Sequence, residues 1–199
     1  MTSSVQFRFG LLASLAVLGG CGGFGRVNQG QVVEYQKSMG LLTLIGDSNY
    51  RDPASPRFDV LPPVTVRVPQ DPREMGPEPA AGKLLGLDYA NRRATVFDAA
   101  ARSLRTVEYA LISQENDVYS NDPRLSHTRF PVVDRVRKTV TVYSARDRKL
   151  VTFAVPEKYY ALPDDIWRIG DEIRYYYKDP ARALRLMNVS RTDLSKAGK

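Results

Sequence analysis

Apolar and polar residues alternate with a period of two along most of the chain after residue 29. Clear examples are residues 64–68, 104–112 and 138–143. A period of two is typical of strands that bury one face and expose the other. The pattern therefore predicts an all-β protein built from short strands.

Short polar segments separate neighbouring strands and predict hairpins over residues 29–45, 83–97 and 170–189. Prolines and polar residues mark a loop over residues 47–63. Residues 113–128 are polar and rich in turn formers, which favours a linker between two parts of the chain.

The two halves of the chain resemble each other. Residues 64–69 (Val-Thr-Val-Arg-Val-Pro) match residues 151–156 (Val-Thr-Phe-Ala-Val-Pro), and each segment is followed by a short helical stretch and then by Gly82 or Gly170. This order predicts two tandem OB-like small β-barrels. The alternative is one extended β domain in which the similarity is a coincidence between β-rich segments.

The predicted organisation divides the chain at changes of composition. It comprises a signal peptide (1–20), a lipidated tether (21–28), an N-terminal β module (29–112), a linker loop (113–128), a C-terminal β module (129–190) and a basic tail (191–199).

The N-terminus carries the marks of a secretory signal. Arg8 precedes an apolar run of ten residues at 9–18, which is too short for a membrane span of roughly 20 residues. The following Leu18-Gly19-Gly20-Cys21 resembles a bacterial lipobox. The resemblance implies cleavage before Cys21 and attachment of diacylglycerol to its thiol, and the alternative is an ordinary secreted protein with an incidental cysteine.

The lipobox implies a location for the mature chain. Acyl chains on Cys21 would hold the protein on the periplasmic side of a membrane. Gly22 follows the cysteine, where the enterobacterial sorting rule places Asp for inner-membrane retention, so the outer membrane is favoured. A wider resemblance to uncharacterised lipoproteins of sulfate-reducing bacteria, which have no assigned activity, is carried by residues 30–35, 61–64, 74–77 and 81–83.

The composition excludes several kinds of active site. A single cysteine and a single histidine among 199 residues cannot form a disulfide or a His/Cys metal shell. His127 lacks an identifiable nucleophile partner, and adjacent acids such as Asp164-Asp165 and Asp171-Glu172 are explained by capping and exposure. We therefore predict no enzyme activity, no cofactor and no metal site. The acidic and amide residues at 115–122 do not have the spacing of a calcium loop.

Aromatic residues are concentrated near the C-terminus and offer candidate partner-binding positions at Tyr159, Tyr160, Trp167 and Tyr176. The competing interpretation is packing inside a barrel. The formal net charge of +7 is scattered along the strands, which favours a solvated surface near an anionic membrane over a nucleic-acid site.

The sequence thus predicts a membrane-anchored envelope lipoprotein that acts as a non-catalytic binding or structural module. Its expected partners are the membrane itself and an envelope protein, a peptide or a polymer. The alternative is a periplasmic carrier of OB-like type for a small solute or a metal. A soft-metal carrier needs clustered ligands, whereas Met39, Met75 and Met187 lie in three separate segments.

Overall fold

The computed structural model describes residues 24–52 and 54–192. Its regular elements are β-strands and short 3-10 helices, so the predicted all-β class is confirmed. The strands are β1 (Arg26–Gln36), β2 (Leu41–Asp47), β3 (Phe58–Arg67), β4 (Leu84–Asp88), β5 (Arg93–Asp98), β6 (Ser103–Glu108), β7 (Ala110–Glu115), β8 (Val132–Asp134), β9 (Thr139–Ser144), β10 (Lys149–Ala154), β11 (Glu172–Asp179) and β12 (Arg182–Asn188). The 3-10 helices are Lys37–Met39, Pro72–Glu74, Pro123–Leu125, Glu157–Ala161 and Asp164–Trp167.

Five strands form a closed barrel in the order β1-β11-β12-β3-β2. β1 pairs antiparallel with both β2 and β11, and β12 meets β3 in parallel where Arg182 lies opposite Arg67. Alternation along β2 places Leu42 and Leu44 in the barrel core, while Thr43 faces outward and bonds Thr65 across the sheet at 3.0 Å. The remaining buried core residues are Val32, Val66, Val68, Ile173, Tyr175, Ala183 and Leu186.

The chain between β3 and β11 forms two further sheets, which we call the inserted sheets. One has the order β4-β5-β6 and the other the order β7-β10-β9-β8. They share a core that includes Phe153 and Trp167. A smaller cluster joins them to the barrel, because Val33 and Ile45 of the barrel pack with Leu85 and Phe97 of the insertion.

The expected pair of tandem modules is not confirmed by the strand pairing. The barrel takes strands from both ends of the chain, since Gly30 in β1 lies opposite Ile173 in β11. β7 pairs with β10 across the expected linker at residues 113–128. The two similar segments also lie in different sheets, because β3 belongs to the barrel and β10 to the insertion. Alternation reports which face of a strand is buried and carries no information about its pairing partner.

Two glycines fix the junction between the barrel and the inserted sheets. A Cβ atom at Gly170 would overlap the carbonyl oxygen of Val32, and one at Gly82 would overlap that of Arg168. The close approach allows Val32 N–H to donate to the Asp171 carbonyl at 2.9 Å and Gly82 N–H to donate to the Val32 carbonyl at 3.0 Å. Glycine at these two positions therefore allows the neighbouring backbones to come into direct contact.

The predicted hairpins at residues 29–45, 83–97 and 170–189 are confirmed as the pairs β1–β2, β4–β5 and β11–β12. Within the described residues, no helix is long and apolar enough to cross a membrane.

Candidate functional site

A cleft of about 490 Å³ lies between the barrel and the inserted sheets. The barrel contributes Gln31, Phe58 and Glu172, and the insertion contributes Tyr89 and Arg146. The volume falls within the range of small-ligand sites, roughly 300–1,000 Å³. The cleft also mixes apolar walls with a few polar groups, which is the usual composition of such sites.

Gln31 places an unpartnered acceptor beside the cleft. Its residue is 1% exposed, and its Nε2 donates to the Leu84 carbonyl at 2.7 Å, which fixes the orientation of the amide. Its Oε1 has no hydrogen-bond partner within the described part of the chain. An unpaired buried acceptor costs about 1–3 kcal/mol, so a ligand that donates a hydrogen bond there would recover that free energy.

Glu172 and Arg146 form an ion pair across the cleft. Glu172 begins β11 and is almost fully buried, with its own N–H bonded to Ser190 Oγ at 2.9 Å. Arg146 lies on the turn between β9 and β10, and its side chain stays partly exposed. Burial lowers the pKa of Arg146, while the nearby carboxylates of Asp147 and Asp47 raise it. The pair connects the insertion to the barrel at the floor of the cleft.

Replacing Arg146 by methionine is expected to lower the free energy of unfolding by about 2–3 kcal/mol, because the buried carboxyl group of Glu172 would lose its cationic partner. This expected loss is smaller than that for breaking a fully buried ion pair, since Arg146 is partly exposed. Adding Glu172→Gln to this variant should restore most of the loss. Urea unfolding at pH 7 of both single variants and the double variant measures the coupling. Additive losses would show that the pair contributes nothing.

Hydrogen bonds hold the other carboxylates of the cleft. Tyr89 Oη donates to Asp147 Oδ2 at 2.6 Å, and Ser144 Oγ donates to the same oxygen at 2.8 Å. Burial, together with this hydrogen bond, raises the pKa of Tyr89 far above its ordinary value, so the phenol remains a donor. Asp171 Oδ2 accepts from Ala80 N–H at 2.8 Å and from Arg191 Nε at 2.7 Å.

The cleft is acidic although the chain as a whole is basic. Its lining includes the three carboxylates of Asp147, Asp171 and Glu172 and the guanidinium of Arg146, and Arg191 pairs with Asp171 from outside the lining. Sequence reasoning assigned Asp171-Glu172 to capping and exposure, whereas both residues are buried. Their position directly after Gly170 was visible in the sequence, but their burial depends on the distant strand β1.

Three of the four aromatic positions predicted for partner binding lie in the core of the inserted sheets. Tyr159, Tyr160 and Trp167 are buried there, and the Trp167 ring makes edge contacts with Phe153 at 5.7 Å and with Tyr159 at 6.1 Å between centroids. Their burial favours the competing interpretation of the sequence, in which these rings pack in the interior of the protein. Tyr176 remains at the barrel surface, half-buried.

Cys21, the predicted lipidation site, lies outside the described residues.

His127 is exposed in a loop and has a left-handed backbone, with φ of 70°. In the acidic segment at 115–122, Arg124 forms ion pairs with Glu115 and Asp122 and lowers the pKa of Asp122 to about 2. Among the residues that the structure describes, no group of three or more His, Cys, Asp and Glu side chains is placed to hold a metal ion.

The barrel, the inserted sheets and the acidic cleft between them define an all-β protein with a candidate ligand site at the junction of its two parts. A family model described as a domain of unknown function, DUF4881, matches residues 23–197, and the chain belongs to this family. The match extends over the barrel and the insertion alike. Neither the curated proteins nor the solved structures contain a match to the chain.

Proposed function

We propose that this chain is a lipid-anchored, non-catalytic binding module of the bacterial cell envelope, and that its ligand occupies the cleft between the barrel and the inserted sheets. The observation that carries the proposal is Gln31, a residue of the cleft lining whose buried Oε1 lacks a hydrogen-bond partner within residues 24–52 and 54–192. Buried polar atoms are rarely left unpaired, so an unpaired acceptor beside a cleft favours a ligand that supplies the hydrogen-bond donor.

The barrel is proposed to be a single OB-like barrel with a long insertion after its third strand. In support, the first strand pairs with the second and the fourth, and the third strand meets the fifth in parallel. OB-like barrels are five-stranded and are widely used as ligand-binding scaffolds. The likeness concerns the fold alone and gives no specific ligand.

The chemistry of the cleft favours a ligand that carries hydrogen-bond donors. Gln31 Oε1 and the carboxylates of Asp147 and Glu172 are acceptors, whereas Arg146 already pairs with Glu172. An amine, amide or hydroxyl group of a peptide or an envelope polymer matches these acceptors. A small-solute carrier is the second candidate, because the volume of about 490 Å³ also suits a free small molecule.

The anchor is proposed at Cys21, with the protein facing the periplasm and the outer membrane favoured over the inner. Cells that produce the full chain should incorporate labelled palmitate into it, and the Cys21→Ser variant should not. Label that persists in the variant would refute the anchor and would leave the proposal for the cleft unaffected.

Gly86 offers a way to block the cleft without disturbing the fold. It lines the cleft, and a Cβ added there meets no other atom within 4 Å. We expect Gly86→Trp to abolish ligand capture because the indole occupies cleft volume. Ala101→Trp, at an exposed turn outside the cleft, is the matched control and should capture as the wild type does.

Capture is measured in intact cells with p-benzoylphenylalanine at Ser55, an exposed position that lines the cleft. The same photo-crosslinker at Tyr119, which is exposed elsewhere, reports non-specific neighbours. The proposal requires an adduct that is specific to the Ser55 position and absent in Gly86→Trp. The same adducts at both positions, or an adduct that survives Gly86→Trp, would refute it.

A further inference from the structure

The outer surface of the barrel beside its first strand combines exposed apolar and basic side chains. Phe24 is 100% exposed, Val27 62% and Leu184 40%. We define the anchor face as this apolar group together with the neighbouring tyrosine and basic residues, namely Phe24, Val27, Tyr176, Lys178, Arg182, Leu184 and Arg185. Large apolar side chains exposed together commonly mark a contact surface.

Strand pairing makes the anchor face continuous. Val27 in β1 lies opposite Tyr176 in β11, which in turn lies opposite Arg185 in β12. Residues directly opposite each other point to the same side of a sheet, so these three side chains form one row on the barrel. Lys178 follows on the same strand at a register irregularity, is exposed, and lies next to the end of that row.

The anchor face carries an excess of positive charge. Within the described ranges, Lys178 has no acidic partner. Arg182 donates to Gln70 Oε1 at 3.3 Å, and Arg185 pairs with Glu74. The three basic side chains of this face thus outnumber the two neighbouring carboxylates of Glu74 and Asp179, and the side chain of Asp179 accepts from the Ala181 N–H in its own turn.

The start of the described chain is fixed to this face. Gly25 lies so close to the Tyr176 ring that a side chain at residue 25 would overlap it. Cys21 precedes Gly25 by four residues, and an extended chain spans at most roughly 3.6 Å per residue, or about 14 Å over this distance. An acyl chain on Cys21 would therefore hold the anchor face within about 14 Å of the head groups.

We propose that the anchor face lies on the bilayer and contacts anionic phospholipid head groups, with Phe24 entering the interfacial region. The inference rests on the proposed lipid anchor at Cys21. Basic side chains within roughly one Debye length of an anionic surface, about 8 Å at physiological salt, are attracted to it. Aromatic side chains add apolar area at the same interface. The contact would fix the orientation of the barrel on the membrane.

The test uses residues 22–199, which contain the three hydrophobic clusters and lack the acylated cysteine. Co-sedimentation is measured with phosphatidylcholine vesicles that contain phosphatidylglycerol and with vesicles of phosphatidylcholine alone. We expect binding to the anionic vesicles that weakens as salt is raised. Equal binding to the neutral vesicles, or no binding to either, would overturn the proposal.

Two sets of charge reversals separate a specific face from attraction by net charge. Lys178→Glu, Arg182→Glu and Arg185→Glu together should weaken vesicle binding at least about tenfold, since each basic side chain near such a surface contributes about fivefold. The matched control reverses Arg129, Arg137 and Lys158, which are exposed on the inserted sheets. An equal loss in the control set would overturn the proposal, and thermal unfolding verifies that both variants fold.

The outcome of the vesicle-binding experiment depends neither on acylation of Cys21 nor on a ligand in the cleft. Vesicle binding by residues 22–199 needs no acylation, so a wild-type chain without palmitate label, or label that persists in Cys21→Ser, would refute the anchor alone. Conversely, labelled protein whose residues 22–199 fail to bind anionic vesicles would refute the anchor face alone. Photo-crosslinking at Ser55 tests ligand binding in the cleft and depends on neither the anchor nor the anchor face.

Discussion

Trp167→Ala is expected to lower the free energy of unfolding by about 4 kcal/mol, within the range for truncation of a buried aromatic side chain. Trp167 is 1% exposed and packs against Phe153 and Tyr159 between the inserted sheets. Removing the indole leaves a cavity that the surrounding strands can fill only in part. Urea unfolding followed by far-ultraviolet circular dichroism measures the change, because the signal does not depend on the only tryptophan.

Tyr176→Ala is the matched control for this experiment. Its ring lies half-buried on the barrel surface, so its removal should cost about 1 kcal/mol or less. A loss for Trp167→Ala no larger than that of Tyr176→Ala would contradict the structural role and would revive the prediction that Trp167 contacts a partner.

Gly170→Ala is expected to lower the free energy of unfolding by about 3 kcal/mol or more. The new Cβ would overlap the Val32 carbonyl oxygen, and the backbone has to separate to make room. Overpacking alone costs about 1–3 kcal/mol. Separation also weakens the hydrogen bonds that Val32 makes with Asp171 and Gly82, each of which contributes about 1 kcal/mol.

The control for Gly170→Ala is Gly86→Ala, where a Cβ meets no atom within 4 Å. This change should be neutral or stabilise by up to about 1 kcal/mol, because alanine restricts the unfolded chain. Both variants are compared by urea unfolding. Equal free energies of unfolding for the two variants would show that the junction accommodates a Cβ atom at residue 170. That result would contradict the close contact between β1 and residue 170.

Local pattern was sufficient to predict the three hairpins, whereas the loop predicted at residues 47–63 includes the first six residues of β3. The β11–β12 hairpin follows from alternating residues on either side of a turn that contains Asp179 and Pro180. The pairing of β1 with β11 could not be predicted in the same way, because it joins segments from opposite ends of the chain. The same limit explains why the similar segments at 64–69 and 151–156 suggested a tandem arrangement.

The candidate site could not be predicted from the sequence for the same reason. Gln31, Arg146 and Glu172 come from three distant segments, and only the docking of the insertion on the barrel brings them to one cleft. None of them belongs to a local motif. Likewise, Tyr159 and Trp167 form part of an aromatic cluster in the sequence, but their direction toward the core depends on how the two inserted sheets pack together.

The most direct test of the proposed binding role is native mass spectrometry of the protein purified from the membranes of cells that produce it. The wild type and Ala101→Trp should each retain a bound mass in addition to any acyl groups, and Gly86→Trp should lose that mass. A bound mass that persists unchanged in Gly86→Trp would contradict the account, and so would wild-type protein that carries nothing but its acyl groups.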